Sequence, residues 1–140
     1  MPAPFRHQLR VRFNECDPQG VVFNANYLVY FDVALTALFR AAMGSYGDLV
    51  ASGTDLVLVE SRIAYRAPAR GDDLIDVDLS AGRFGTTSLR LDGRIRRDGD
   101  LLAEGELHYV AVDPGTHAKQ PLTDALRAAL TPYAGELAGA

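Results

Sequence analysis

One long helical pattern dominates this chain, and it is apolar on nearly every side. From Tyr27 to Met43 the residues Leu28, Phe31, Leu35, Leu38, Phe39 and Ala42 recur at helical spacing. Val29, Val33, Ala34, Ala37 and Ala41 make most of the remaining surface apolar too. Asp32, Thr36 and Arg40, four residues apart, share a single polar stripe. Such a helix is expected to be buried rather than laid on a surface. At 1.5 Å per residue it would run roughly 25 Å. Asn26 suits its N-cap and Gly44 its C′ stop.

The rest of the chain supplies a wrapper of strands. Residues 5–13 alternate in part, with Leu9, Val11 and Phe13 on one face and Arg10 and Arg12 on the other. After a Gly/Ser/Asp connection come strand-like segments at 56–65, 74–81, 86–97 and 101–112. The Arg70-Gly71-Asp72-Asp73 turn and the Asp98-Gly99-Asp100 hairpin signal separate them. Residues 123–130 predict a short helix capped by Thr123. Strands and helices do not alternate, so the class is α+β: an antiparallel sheet curling around one long buried central helix. Such a sheet has edges, and association through an edge or the helix flank is expected. At 140 residues the chain is read as one domain, 1–140, with a Gly/Ala-rich tail at 135–140.

Composition narrows the function classes. The net charge of −4 lacks the basic excess of a nucleic-acid binder. Of the basic residues, Lys119 is the sole lysine and the others are arginines, the better fork for phosphate. Cys16 is the only cysteine, which excludes an intrachain disulfide. His7, His108 and His117 lack ligand spacing, so neither a metal nor a cofactor is expected. With no histidine near Cys16 in sequence, a cysteine nucleophile has little support. No apolar run is long enough to cross a bilayer and no export signal is seen, so the expected compartment is cytoplasmic.

Ahead of the helix stands Asn14-Glu15-Cys16-Asp17-Pro18-Gln19-Gly20-Val21-Val22-Phe23-Asn24-Ala25-Asn26-Tyr27. It puts one carboxylate, Asp17, in a Pro/Gly turn before the positive end of the helix. Unpaired backbone N–H groups at a helix N-terminus can receive a developing oxyanion, and a carboxylate can attack a carbonyl or activate water. On turn chemistry alone, an Asp before Pro is an ordinary loop residue.

The segment from Asp17 to Tyr27 resembles the signature loop of the hotdog-fold acyl-CoA thioesterases, in particular the 4-hydroxybenzoyl-CoA thioesterase-like group. The Val11-Arg12-Phe13 stretch and the Tyr65-Arg66-Ala67-Pro68-Ala69-Arg70-Gly71-Asp72 segment are similar as well, and the likeness runs over residues 7–113. The resemblance implies a hotdog fold and thioester hydrolysis with the acid at Asp17, as nucleophile or as general base. It places the oxyanion donor at a backbone N–H near Asn24. Many relatives carry His or Tyr at that position, so any imidazole role is absent here while a backbone donor survives.

The resemblance further implies an acyl-CoA substrate and a homodimer or homotetramer with its site at the subunit interface. An acyl-carrier-protein substrate, or a module that binds an acyl thioester without cleaving it, are the alternatives. Substrate contacts are expected from Gly20, Val22, Phe23, Asn26, Tyr27, Asp32 and Arg83. Several of these have a plainer reading. Gly20 serves the turn and Asn26 caps the helix. Asp32 pairs with Arg40 through Thr36 or with an arginine of another strand. Arg83, like Arg66 and Arg70, is either a coenzyme A phosphate contact or a solvated surface arginine.

Overall fold

The structure, a computed structural model, describes residues 1–137. Its strands are β1 (Phe5–Arg10), β2 (Asp55–Tyr65), β3 (Leu74–Phe84), β4 (Ser88–Arg97) and β5 (Asp100–Val112). They form one antiparallel sheet in the order β1-β3-β4-β5-β2. Three helices accompany it: α1 (Asn26–Met43), α2 (Tyr46–Ala51) and α3 (Asp124–Leu130). This is the expected α+β arrangement of a hotdog fold, with the sheet wrapped around the long helix.

Period-two alternation sorts the side chains of the sheet. Ile75, Val77, Leu79 and Ala81 of β3, Leu89, Leu91 and Ile95 of β4, and Leu107, Tyr109 and Ala111 of β5 are all buried. They meet Tyr30, Phe31, Ala34, Leu35, Leu38 and Phe39 of α1 in one core. The helix sits close because the sheet leaves room for it. Gly93 of β4 and Gly105 of β5 stand opposite each other in register. A Cβ on Gly93 would collide with the ring of Phe31, and one on Gly105 would come within 3.3 Å of it. Phe31 itself is wholly buried.

The other face of the sheet is polar. Arg6 of β1 donates from Nε to Asp78 of β3 at 2.7 Å, and Arg96 of β4 approaches the same carboxylate at 3.1 Å. Asp78 and Arg96 are both buried, so this charged set ties the short edge strand β1 to the sheet centre.

The structure departs from the sequence reading at several points. β1 ends at Arg10, and Phe13 opens a 3₁₀ turn, Phe13–Glu15, with its ring 81% exposed. The extended alternation is broken there because Glu15 accepts from the Arg12 N–H and guanidinium, which folds the chain into a turn. The N-cap of α1 is Ala25, and the Asn26 side chain reaches back to the Glu15 carbonyl. α1 is not buried all round: Val29, Asp32, Val33, Thr36 and Arg40 form an open stripe. The expected connection after Gly44 contains α2, capped by the Ser45 hydroxyl accepting from the Asp48 N–H. Gly44 itself ends α1 with a φ of 97°, as expected. Thr123 caps α3 by accepting from the Leu126 N–H. Of the anticipated tail, the Gly135 carbonyl accepts from the Ser80 hydroxyl, while Ala138, Gly139 and Ala140 lie outside the described residues.

Gly93→Ala is expected to lower stability by about 1–3 kcal/mol in urea unfolding, since overpacking must push Phe31 off the sheet. An unchanged midpoint would show that the helix does not rest on this glycine pair.

Candidate active site

The loop that carries Asp17 is a small, closely tied hairpin. The Asp17 N–H donates to the Val21 carbonyl at 2.8 Å, and the Gly20 N–H donates back to the Asp17 carbonyl at 3.0 Å. Gly20 takes a φ of +79°, which L side chains resist, so its turn role is explicit. Two isolated bridges, Cys16 with Val22 and Val21 with Arg70, fix the hairpin to itself and to the β2–β3 connection. One Asp17 carboxylate oxygen, Oδ1, accepts from the Gln19 N–H at 2.8 Å. Among the described residues the other oxygen has no hydrogen-bond partner. One oxygen orients the group while the second is left for other chemistry.

Glu15 joins this hairpin to the helix start. Its carbonyl accepts from the Phe23 N–H at 3.0 Å and from Asn26 Nδ2 at 2.8 Å. Its carboxylate accepts from the Arg12 N–H at 2.7 Å, from the Arg12 guanidinium, and from the Tyr30 hydroxyl at 3.1 Å. Burial first, and then the Glu15 carboxylate, push the Tyr30 phenol well above its ordinary pKa. Tyr30 therefore stays protonated and remains a donor.

Tyr27 plays a matching part on the opposite side. Its hydroxyl accepts from the Ala69 N–H at 3.0 Å, while the Val22 N–H donates to the Ala69 carbonyl at 2.8 Å. Burial raises the Tyr27 pKa, against the lowering effect of the Ala69 N–H.

The helix start leaves specific donors free. The Asn26 N–H is taken by the Phe23 carbonyl and the Tyr27 N–H by the Asn24 carbonyl. The backbone N–H groups of Asn24 and Ala25 have no acceptor among the described residues. They stand at the positive end of an 18-residue helix. The Glu15 carbonyl, accepting from the Phe23 N–H and from Asn26, thus ties the hairpin that carries the Asp17 carboxylate to the helix start that carries these two N–H groups.

Comparison with known proteins identifies the family. The family model described as the thioesterase superfamily matches residues 19–104. The chain belongs to the thioesterase superfamily. The acyl-CoA thioester hydrolase YbgC of Escherichia coli is 33% identical over 111 residues, spanning 79% of this chain and 83% of that protein. The crystal structure of a 1,4-dihydroxy-2-naphthoyl-CoA thioesterase from Synechocystis superposes with a TM-score of 0.82 at 23% identity, covering 91% of this chain and 96% of that one. A protein of Thermus thermophilus, TT1821, gives a TM-score of 0.82 at 28% identity over 89% and 95% of the two chains. The protein is a thioester hydrolase of the hotdog type.

Within this thioesterase the residues singled out from the sequence fall into distinct places. Phe23 is 52% exposed beside the free Asn24 N–H, and Asn24 is exposed. Gly20 is exposed in the turn, with open space around its α-carbon. Val22 and Tyr27 are 4% and 3% exposed, so their side chains support the loop from within the core. Asn26 spends its amide on Glu15. Asp32 lies on the open stripe of α1 and makes no ion pair among the described residues. The Thr36 hydroxyl binds its carbonyl, and no Arg40 pairing forms. Burial and then the Asp32 carboxylate raise the Tyr109 phenol; burial and then the hydrogen bond to Asp55 push Tyr46 up to about 12, with Asp32 adding the least.

Arg83 is not brought to the loop within one chain. It lies nine residues along β3 from Leu74, which is roughly 30 Å of strand from the end that meets the Asp17 hairpin. Arg70 is the arginine beside the loop, through its bridge to Val21. Glu15, Tyr30 and Tyr65 were not singled out from the sequence as parts of the site. The Glu15 carboxylate does accept from the Arg12 N–H, as the acid of a capping box would, but Arg12 has no side-chain acceptor, so the spacing carries no signal for Glu15.

Glu15→Ala is expected to cost about 2–3 kcal/mol in chemical denaturation, because it strands the Tyr30 hydroxyl and the Arg12 N–H. Arg12→Ala should cost far less, since the Arg12 side chain is 74% exposed. Equal losses from the two would refute Glu15 as the hub.

Proposed function

We propose that this thioesterase hydrolyses acyl-CoA thioesters, with Asp17 as the catalytic carboxylate. The observation that carries the reading is the free Asp17 oxygen in a hairpin tied through Glu15 to the unclaimed Asn24 and Ala25 N–H groups. A thioester carbonyl is electrophilic and its thiolate leaves readily, so one carboxylate with a good oxyanion receiver suffices. Asp17 either attacks the carbonyl carbon or takes a proton from an attacking water. In both courses the carbonyl oxygen gathers negative charge, which the Asn24 and Ala25 N–H groups and the helix end stabilise. Collapse expels coenzyme A as thiolate. In the first course water then hydrolyses the mixed anhydride and restores Asp17.

The likeness to the acyl-CoA thioester hydrolase YbgC and the arginine beside the loop both support an acyl-CoA substrate. Arg70, exposed and next to Val21, suits a coenzyme A phosphate better than Arg83 does. Phe23 and the open stripe of α1, with Asp32 on it, offer the surface along which the substrate would lie.

The same reading includes a homodimer formed through β2. This edge strand exposes Val57, Leu58 and Val59 at 44%, 38% and 60%, and α1 exposes Val29 and Val33. Light scattering on Val59→Glu should show a shift toward monomer at low micromolar protein. A wild-type monomer would refute the dimer.

Asp17→Asn is expected to lower kcat on the best acyl-CoA substrate by at least about 10²-fold, with the fold intact by circular dichroism. Unimpaired turnover would remove Asp17 from the mechanism. Wild-type protein that cleaves only carrier-protein thioesters, or binds acyl-CoA without turnover, would overturn the acyl-CoA reading.

A further inference from the structure

We propose that Tyr65 is a positioning residue for the oxyanion receiver, acting through the peptide that joins Asn24 to Ala25. The inference rests on the thioesterase mechanism above and deepens it. Tyr65 is the last residue of β2, and its hydroxyl donates to the Asn24 carbonyl at 3.1 Å, across 41 residues of sequence. That carbonyl and the Ala25 N–H are opposite ends of one planar peptide unit. The carbonyl end is engaged and the N–H end is free.

Two consequences follow from elementary peptide chemistry. A planar unit pinned at its oxygen has a fixed N–H direction, so the donor is aimed before substrate arrives. A hydrogen bond accepted by the carbonyl also polarises the unit and strengthens its N–H as a donor, by about 10–30% per bond. The Asn24 carbonyl takes two such bonds, from Tyr65 and, at 3.3 Å, from the Tyr27 N–H. The neighbouring donor, the Asn24 N–H, belongs to a unit whose carbonyl takes one, from the Asn26 N–H at 2.9 Å. Ala25 therefore carries the better prepared of the two free N–H groups. Its φ and ψ of −64° and −22° are already helical, so that N–H runs with the helix axis.

The placement of Tyr65 does not look like core filling. The residue is 51% exposed, and its ring meets the buried Tyr27 ring edge-on, at 5.2 Å between centroids. Tyr27 in turn is locked by the Ala69 N–H. The aromatic contact sets the phenol's position, and among the described residues the hydroxyl makes one hydrogen bond, to the Asn24 carbonyl. Removing that oxygen leaves the ring, the edge-on packing and the Tyr27 N–H bond in place, so the helix start should survive.

The test compares wild type, Tyr65→Phe and a full-length chain with 3-fluorotyrosine at position 65, on one acyl-CoA substrate. The expected result for Tyr65→Phe is a fall in kcat of about tenfold, with KM within about twofold and Tm nearly unchanged. The fluorinated phenol is a stronger donor and should hold kcat at or above the wild-type value. Three outcomes would overturn the proposal: kcat unchanged in Tyr65→Phe, a loss carried by KM or Tm instead, or a fluorotyrosine chain as slow as Tyr65→Phe. If wild type itself hydrolyses no acyl-CoA, the mechanism on which the proposal rests fails, an outcome separate from these three.

Discussion

The seating of Phe31 on the facing glycines Gly93 and Gly105 is the contact on which the rest of the structure depends. A side chain at Gly93 would push Phe31, and with it α1 and the helix end that carries the free N–H groups, off the sheet, while one at Gly105 would crowd the Arg62 carbonyl and the ring. The wholly buried ring between helix and sheet thus sets the height of the N-terminus above the loop. Packed interiors do not deform smoothly. The site inherits its rigidity from that contact.

From this platform the loop is held by three tyrosines, two on backbone groups and one on the Glu15 carboxylate. Tyr30 donates to the Glu15 carboxylate, Tyr27 accepts from the Ala69 N–H, and Tyr65 donates to the Asn24 carbonyl. The rings of Tyr27 and Tyr30 meet at 6.1 Å and those of Tyr27 and Tyr65 at 5.2 Å, so the three form a continuous aromatic run. Burial raises the phenols of Tyr27 and Tyr30, which keeps them neutral at physiological pH. An uncharged clamp of this kind leaves Asp17 as the free charge of its hairpin, beside a helix end that carries partial positive charge.

Much of the fold was legible because burial imposes periods. The long helix and four of the strands follow from apolar spacing, and the ends at Gly44 and Thr123 follow from capping chemistry. What was misjudged turned on local competition. The Glu15 side chain captures Arg12 and stops β1 early, a contest that alternation does not reveal. The open stripe at Val29 and Val33 reads as buried in the sequence, since an exposed apolar residue on a helix has the same spacing as a core residue. In the candidate site, Asp17 and the region of Asn24 are picked out by the loop signature, which carries chemistry in residue identity. Tyr65 and Ala69 approach the loop only in three dimensions, and Arg83 was separated from it by the length of β3.

The most direct measurement is a crystal structure with an acyl-CoA analogue in which a methylene between carbonyl and sulfur prevents cleavage. The account predicts that the ketone oxygen lies within hydrogen-bond distance of the Asn24 or Ala25 N–H, with its carbon facing the free oxygen of Asp17 directly or through one water. An analogue seated with its carbonyl away from these groups, and Asp17 turned to bulk solvent, would contradict it.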